Sequence, residues 1–485
     1  MSTYVHCALS RNDRLVTRCD VGQVISFDML PDDVLLEIFH FHMNEARNED
    51  LEEGAMGTWQ SLVHVCRRWR SVVFGSPSHL DLRLVCTSST PVRALDVWPA
   101  LPLAIRDFDC SSGRVDNIVS LLERSDLGHR ITQVILWDVP NSQLYVISEA
   151  MLVPFPELTV LELHCEPRLF LPLSDSFLDG SAPRLRYLWL DGIPYPGLPK
   201  LRLSATHLTG LFFTNIPHSG YIPPEAMVAC ISTLTSLERL SLGFESPLPR
   251  PDWESQRPSP PKITTLPVLK SFEFKGVCEY LEYLVARIDS PRLNVLDITF
   301  FNDIVFDTPQ FSRFISHKPM LDALNKAIVT SKDSTASVNL LSVYARLTLR
   351  ISCRELDWQL SFLEQVCTSS LPPLSTLEDL YMEGHPWPQD WKDHIDYTQW
   401  LELLHSFTTV KNLYLSKEFA PHVVSALQEF VGGSTTEVFP NLQNIFLEEL
   451  QQSGPVQEGI GKFVAARQVT SHLIAVSRWD KGSRL

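Results

Sequence analysis

Residues 155–164 read FPELTVLELH and residues 182–191 read APRLRYLWLD, two copies of one L-x-x-L-x-L motif set 27 residues apart. Alternating apolar positions of this kind predict a short strand with one buried face. The motif is clearest at Leu158-x-x-Leu161-x-Leu163, Leu185-x-x-Leu188-x-Leu190, Leu237-x-x-Leu240-x-Leu242 and Leu293-x-x-Leu296-x-Ile298. Weaker copies begin at Ile131, Leu208, Leu269, Tyr344, Leu377, Val410 and Leu442. Consecutive starts differ by 27, 27, 23, 29, 32, 24, 51, 33, 33 and 32 residues, and the single 51 predicts one further unit whose strand the pattern does not reveal. Several copies follow a Pro-x-Leu turn, as at Pro156, Pro183, Pro267 and Pro440. Helical patterns over 225–233, 279–288, 358–367, 400–407 and 422–431 fill the intervals. A strand with a returning helix cannot bury its own apolar face, so neighbouring units must stack into one continuous core. The fold class expected is therefore α/β.

This repeat resembles a leucine-rich-repeat solenoid covering roughly residues 100–450, and the array proper is placed at 131–450. The chain departs from that family's pattern in two ways. The Asn or Cys expected three residues after the last leucine is absent, and Glu166, Ile193, Glu245 and Phe301 stand there instead. Several spacings also exceed the usual ~20–29 residues. An irregular horseshoe is expected, with helices on its convex side. A parallel α/β sheet of another kind would give similar alternation, although no Gly-rich phosphate loop follows any strand. The leucines should point inward and the residues between them outward. The outward set includes Trp137, Glu162, His164, Tyr187, Trp189, Asp191, Phe212, Glu273, Asp297, Arg350, Asp379, Tyr381, Glu383, Tyr414, Phe446 and Glu448. Of these, Trp137, Tyr187, Trp189, Asp191, Phe212, Tyr381, Tyr414 and Phe446 are the candidate substrate-binding residues, since exposed aromatics among acids suit a protein-binding surface.

Upstream, residues 27–39 read FDMLPDDVLLEIF and residues 59–77 read WQSLVHVCRRWRSVVFGSP. Pro31 near the start and Asp32 and Asp33 in the first turn favour a helix there. Val34, Leu35, Ile38 and Phe39 repeat on one face, and Trp59, Leu62, Val65, Cys66, Trp69, Val72 and Val73 repeat in a second helix. About fifty residues with two helices form too small a core alone, so part of this apolar surface is expected to meet a partner. An ordinary helical hairpin capping the array is the competing reading. The pattern resembles the F-box, which implies docking on the adaptor subunit of an SCF-type cullin–RING ubiquitin ligase. The residues so implied in adaptor binding are Leu30, Pro31, Leu35, Ile38, Phe39, Val65, Cys66 and Trp69. An acidic insert from about Asn44 to Gly57 is longer than that family's usual loop.

The expected organisation is a flexible tail at 1–24, the small all-α F-box module at 25–78, a connector and N-terminal cap at 79–130, the irregular repeats, and a C-terminal cap at 451–485. A Pro-rich loop at 245–262 interrupts the array, and Trp479 is expected to cover apolar surface at its end.

A net charge of −16 argues against a general nucleic-acid binder and favours, weakly, a basic target surface. Ten scattered cysteines without a C-x-x-C pair support neither a metal site nor a disulfide framework and fit a reducing cytoplasmic or nuclear setting. No apolar leader and no uninterrupted apolar run of membrane-spanning length is present, so no membrane association is expected. No nucleophile elbow, phosphate loop or zinc-protease helix occurs. His40 and His42, and Asp107 and Asp109, lack companions that would make a metal or catalytic site. The expectation is a non-enzymatic receptor without cofactor, binding the adaptor, through it a cullin, and an unknown protein substrate; a non-degradative scaffold on the same adaptor is the alternative. All 12 lysines lie from Lys200 onward. Either an arginine-favouring bias or avoidance of self-ubiquitination near the adaptor accounts for that.

Overall fold

The computed structural model describes residues 16–18, 24–26, 29–49, 58–112, 115–165, 173–174, 177, 182–195, 207–247, 263–301, 308–321, 324–332, 334–353, 356–370, 376–384, 397–429, 438–449, 454–469 and 472–480. The Pro-rich loop at 245–262 lies almost wholly outside these residues. Among the described residues, one sheet of 16 strands runs from Leu84–Cys86 to Ala475–Arg478. From Leu84–Cys86 through Val295–Phe301 its spatial order follows the chain and every pairing is parallel. A doubly wound sheet would reverse direction somewhere along this run. Strand order therefore selects a strand–helix solenoid.

The stacking has a local chemical basis. Each Pro-x-Leu turn closes with a backbone bond, Leu158 N–H to Phe155 O at 3.1 Å, Leu185 to Ala182 at 3.1 Å and Leu442 to Phe439 at 3.1 Å. Pro at the second position presets φ for this geometry. The strands that follow alternate half-buried and buried residues, as in Val160–Cys165 and Tyr187–Asp191. Leu161, Leu163, Leu188 and Leu190 face the core at 0–1% exposure. The missing asparagine ladder is partly replaced by threonine hydroxyls at strand entry. Thr132, Thr159 and Thr209 donate to Leu103 O, Thr132 O and Arg186 O at 2.9–3.0 Å, tying each unit to the one before.

Four expectations change. The 51-residue gap holds two extra strands, Lys326–Lys332 and Thr335–Leu341, which form a meander with Arg346–Ser352. Thr335–Leu341 is antiparallel to both neighbours, the one reversed strand of the large sheet among the described residues. Gln359, wholly buried, pins this insertion: its Oε1 accepts from Ser331 Oγ at 2.6 Å and its Nε2 donates to Lys332 O and Cys353 O. Second, the sheet starts at Leu84 rather than 131, because Leu84–Cys86 and Leu103–Asp107 already pair within it. The segment 79–130 thus belongs to the array. Third, Val16–Arg18 of the expected tail pairs antiparallel with Val24–Ser26, which crosses the expected boundary at residue 24.

Fourth, the described residues of the N-terminal module form three helices rather than two: α1 Asp32–Glu49, α2 Thr58–Val63 and α3 Arg67–Gly75. Helix α1 continues through Asn44 into the expected insert. The second apolar stretch breaks at His64–Cys66, where Cys66 turns extended and its Sγ caps α3 by accepting from Trp69 N–H at 3.4 Å. Periodicity alone could not reveal that break, since both helices keep similar phase. Leu35, Phe39, Met43, Trp59, Leu62, Val63, Val72 and Val73 are buried in a core continuous with that of the sheet. Trp98 links the two, with ring centroids 5.2 Å from Trp59 and 6.5 Å from Phe74. Arg68 ties α3 to the start of α1 through Asp32 Oδ1 at 2.7 Å and the Leu30 carbonyl.

Candidate functional site: two interaction surfaces

Helix α1 carries two apolar stripes. The inner one, Leu35, Phe39 and Met43, is consumed by the core at 0%, 1% and 5% exposure. The outer one, Val34, Ile38 and Phe41, stays exposed at 40%, 41% and 68%, and Met29 and Val65 add exposed apolar surface at 75% and 58%. Spacing of four and three residues places the outer stripe along one line of the helix. The sequence-predicted set is therefore divided. Pro31, Ile38 and Val65 are exposed, Leu30, Cys66 and Trp69 are half-buried, and Leu35 and Phe39 are interior. Trp69 packs on Phe39 with centroids 4.8 Å apart. Leu35, Phe39 and Trp69 shape the module from within. Met29, Val34 and Phe41 were missed as surface, although two apolar positions per turn on a short helix signal two faces.

The second surface is the sheet face opposite the leucines. Here the register aligns outward residues into rows: Glu162 pairs with Trp189, Trp189 with Phe212, Phe212 with Ser241, and Tyr381 with Tyr414 and Phe446 with Tyr414. Two separate aromatic ladders result. Toward the N-terminal end, Phe108, Trp137, His164, Trp189 and Phe212 follow one another at centroid distances of 5.1, 5.1, 4.7 and 5.4 Å. Tyr187 joins Phe212 at 4.7 Å, and Arg239 lies over both rings at 5.1 and 5.8 Å. Gly210 makes room for this: a Cβ there would meet the Tyr187 ring at 2.6 Å.

Toward the C-terminal end, Tyr381 and Tyr414 stack at 4.1 Å and Tyr414 and Phe446 at 4.5 Å. Lys326 Nζ sits 4.1 Å from the Tyr381 ring. Trp479, 7% exposed, stands edge-on to Tyr381 and Tyr414 at 5.7 Å. This ladder is covered by the chain itself. Between the ladders lies a shallow polar cavity of about 300 Å³, where Arg350 grips Asp297 through two bonds of 2.8 and 3.0 Å beside Glu273, Lys275 and Thr214.

Asp191 organises the N-terminal ladder from below. Thr214 Oγ and Asn215 Nδ2 donate to its Oδ1 at 2.6 and 2.7 Å, Trp189 Nε1 donates to Thr214 at 2.9 Å, and His164 Nδ1 lies 3.6 Å from Oδ2. Burial opposes its charge, but the nearby His164 imidazole and the hydrogen bonds from Thr214 and Asn215 together outweigh burial and hold the carboxyl below its ordinary range. Glu162 moves the other way: burial raises it, and His164 and Arg106 offset only part. Two bulges aim side chains out of the sheet. Trp137 and Asp138 together oppose His164, and Thr214 and Asn215 oppose Gly243. Asp138 and Asn215 take left-handed φ values of 51° and 49°, which their short polar side chains tolerate.

The other candidates are structural. Asp107 accepts from the backbone N–H of Ser88 at 2.8 Å and of Asp109 at 3.1 Å. His40 Nε2 bonds Asn44 at 2.8 Å. Among the described residues no group of three His, Cys, Asp or Glu side chains is placed to hold a metal ion, and no helix is long and apolar enough to cross a membrane.

No protein-family model matches the sequence, and no curated protein matches it. Among solved structures, the leucine-rich repeat-containing protein LegL7 from Legionella pneumophila is similar at 14% identity and a TM-score of 0.28, over 69% of this chain and 91% of that one. So loose a superposition carries no argument about function.

Proposed function

We propose that the chain is the substrate-recognition subunit of an SCF-type cullin–RING ubiquitin ligase. Helices α1–α3 act as an F-box docking on the adaptor, and an irregular leucine-rich-repeat solenoid holds a target protein. The observation that carries this reading is the outer stripe of α1, which keeps Val34, Ile38 and Phe41 exposed on a module whose inner stripe already completes its core. A cap that served only the array would have no use for that stripe, since contiguous exposed apolar surface marks a place where another chain binds. The L-P-D-D-V-L-L-E-I-F and V-C-R-R-W-R motifs at Leu30–Phe39 and Val65–Arg70 resemble the F-box at these same helices.

In this role the chain does no bond chemistry. It raises the local concentration of target lysines at the ubiquitin-charged enzyme, an effect of proximity and orientation. The working compartment is the cytoplasm or nucleus. The experiment is co-purification of the full chain with adaptor and cullin, comparing parent with Ile38→Asp and Val65→Asp. Both changes should abolish recovery of the adaptor while leaving the melting temperature near that of the parent. Equal recovery from all three proteins would refute the assignment.

A further inference from the structure

The two aromatic ladders differ in what covers them. Trp479 closes the C-terminal ladder, whereas Phe108 and Trp137 at the end of the other remain 38% and 37% exposed. The open ladder is also asymmetric. At one end the Arg239 guanidinium lies over Tyr187 and Phe212. At the other, among the described residues, no cation stacks on Phe108 or Trp137. The charge there is negative instead: Asp107 and Asp109 flank Phe108, and Asp138 follows Trp137. Asp109 and Asp138 are both exposed, and Asp107 accepts from the Ser88 and Asp109 amides. Asp109 Oδ1 also accepts from the Ser111 hydroxyl.

The three carboxylates act as one field. Beside them, burial first and then Asp107, Asp109 and Asp138 push the Cys110 thiol up to about 12, against a backbone hydrogen bond at Trp137 that lowers it. The cation nearest in sequence, Arg106, donates to Gln133 at 2.6 Å.

The geometry points to a docking site for a basic segment of a partner protein at this end of the sheet face, with an arginine side chain stacked on Trp137 and Phe108 and its guanidinium paired with Asp138 and Asp109. Such an arginine would repeat, in trans, the contact that Arg239 already makes in cis. Arginine fits better than lysine because a planar guanidinium stacks on a ring and forks to a carboxylate at once. A nucleic acid is a poor occupant, since its phosphates would face three carboxylates and a chain of net charge −16. This deepens the receptor reading by naming the chemistry of the target, and it rests on that reading for what the binding accomplishes.

The test uses the purified full chain and a fluorescein-labelled peptide of alternating glycine and arginine, read by fluorescence anisotropy at physiological salt. Matched lysine and citrulline peptides serve as comparisons. The arginine peptide should bind, the lysine peptide several-fold more weakly, and the citrulline peptide not at all. Trp137→Ala and Asp138→Asn should each weaken arginine binding roughly tenfold. Asparagine tolerates the left-handed backbone at 138, so this variant keeps the bulge. Absence of arginine binding, or equal binding by parent and Trp137→Ala, overturns the proposal. Adaptor recovery measured on the same proteins separates the two readings. Arginine binding without adaptor binding sinks only the ligase assignment, and the reverse sinks only the docking site.

Discussion

Ile38 and Leu35 sit three residues apart on α1, yet their replacement should disturb different things. Leu35 is 0% exposed and Ile38 41%. Truncating a fully buried leucine costs about 2–5 kcal/mol, from lost transfer energy plus the cavity left behind. Leu35→Ala should therefore loosen the whole helical module. Full burial of an isoleucine side chain contributes about 1.5–3 kcal/mol, and the exposed two-fifths of Ile38 leaves roughly 0.6–1.2 kcal/mol to be gained only on docking. An aspartate there forfeits that gain and also brings a carboxylate into an apolar interface, at a further cost no smaller than the ~1–3 kcal/mol of an unpaired neutral polar group. The sum, at least about 2–4 kcal/mol, corresponds to a loss of roughly 30- to 1000-fold or more in adaptor affinity. Calorimetric titration with purified adaptor measures the affinity, and thermal unfolding followed by circular dichroism measures the fold. Ile38→Asp should lose affinity with its melting temperature held, whereas Leu35→Ala should lose both. If Ile38→Asp binds within twofold of the parent, or melts as early as Leu35→Ala, then the two stripes are not separate and the docking argument fails.

Three further outcomes are expected. Gln359→Leu should destabilise the meander by about 2–4 kcal/mol, because it removes three hydrogen bonds at once, one from the buried Ser331 hydroxyl and two to the Lys332 and Cys353 carbonyls; unchanged amide-exchange protection in strands 326–341 would contradict this. Asp191 has a folded-state pKa below its ordinary 3.8, so its stabilising effect is complete above that value and disappears as pH falls through the folded one. The gap in melting temperature between parent and Asp191→Asn should stay level near neutral pH and close below about pH 4; a gap that widens on acidification would reverse the sign. Finally, Arg93→Lys and Arg184→Lys, both exposed in the lysine-free stretch, should shorten the half-life of the chain in cells that contain the adaptor. A half-life identical to the parent's in a translation-arrest chase would leave the lysine distribution to coding bias.

Much of the array was legible beforehand, and the reason is geometric. Leu158, Leu161 and Leu163 must all enter one core, so the strand period is written directly into residue type, and the Pro-x-Leu turns mark where each strand begins. The predicted helices at 225–233, 279–288 and 400–407 overlap Pro224–Ile231, Cys278–Val285 and Tyr397–His405 for the same reason. The first two strands of the meander escaped because KAIVTSK and TASVNLL alternate without the leucine motif, and reversal of a strand leaves no mark on that alternation, whereas the third carries the copy that begins at Tyr344. The break at Cys66 escaped because a thiol is a rare helix cap, and apolar phase survives a three-residue turn.

The candidate surfaces divide along the same line. Residue order alone determined which side chains leave the leucine face, since alternation is a local property, and so Trp137, Trp189, Tyr381 and Tyr414 could be named as outward. Only the stacked register decided which of them meet. Parallel pairing places Tyr414 beside both Tyr381 and Phe446 and lets Trp479 close over them, while the bulge at Trp137 and Asp138 leaves the other ladder open beside its carboxylates. In the same way, α1 contained both stripes from the start, and the docking of α2 and α3 chose which one to bury. Contacts between units separated by some thirty residues depend on the whole stack, and no local window of sequence contains them.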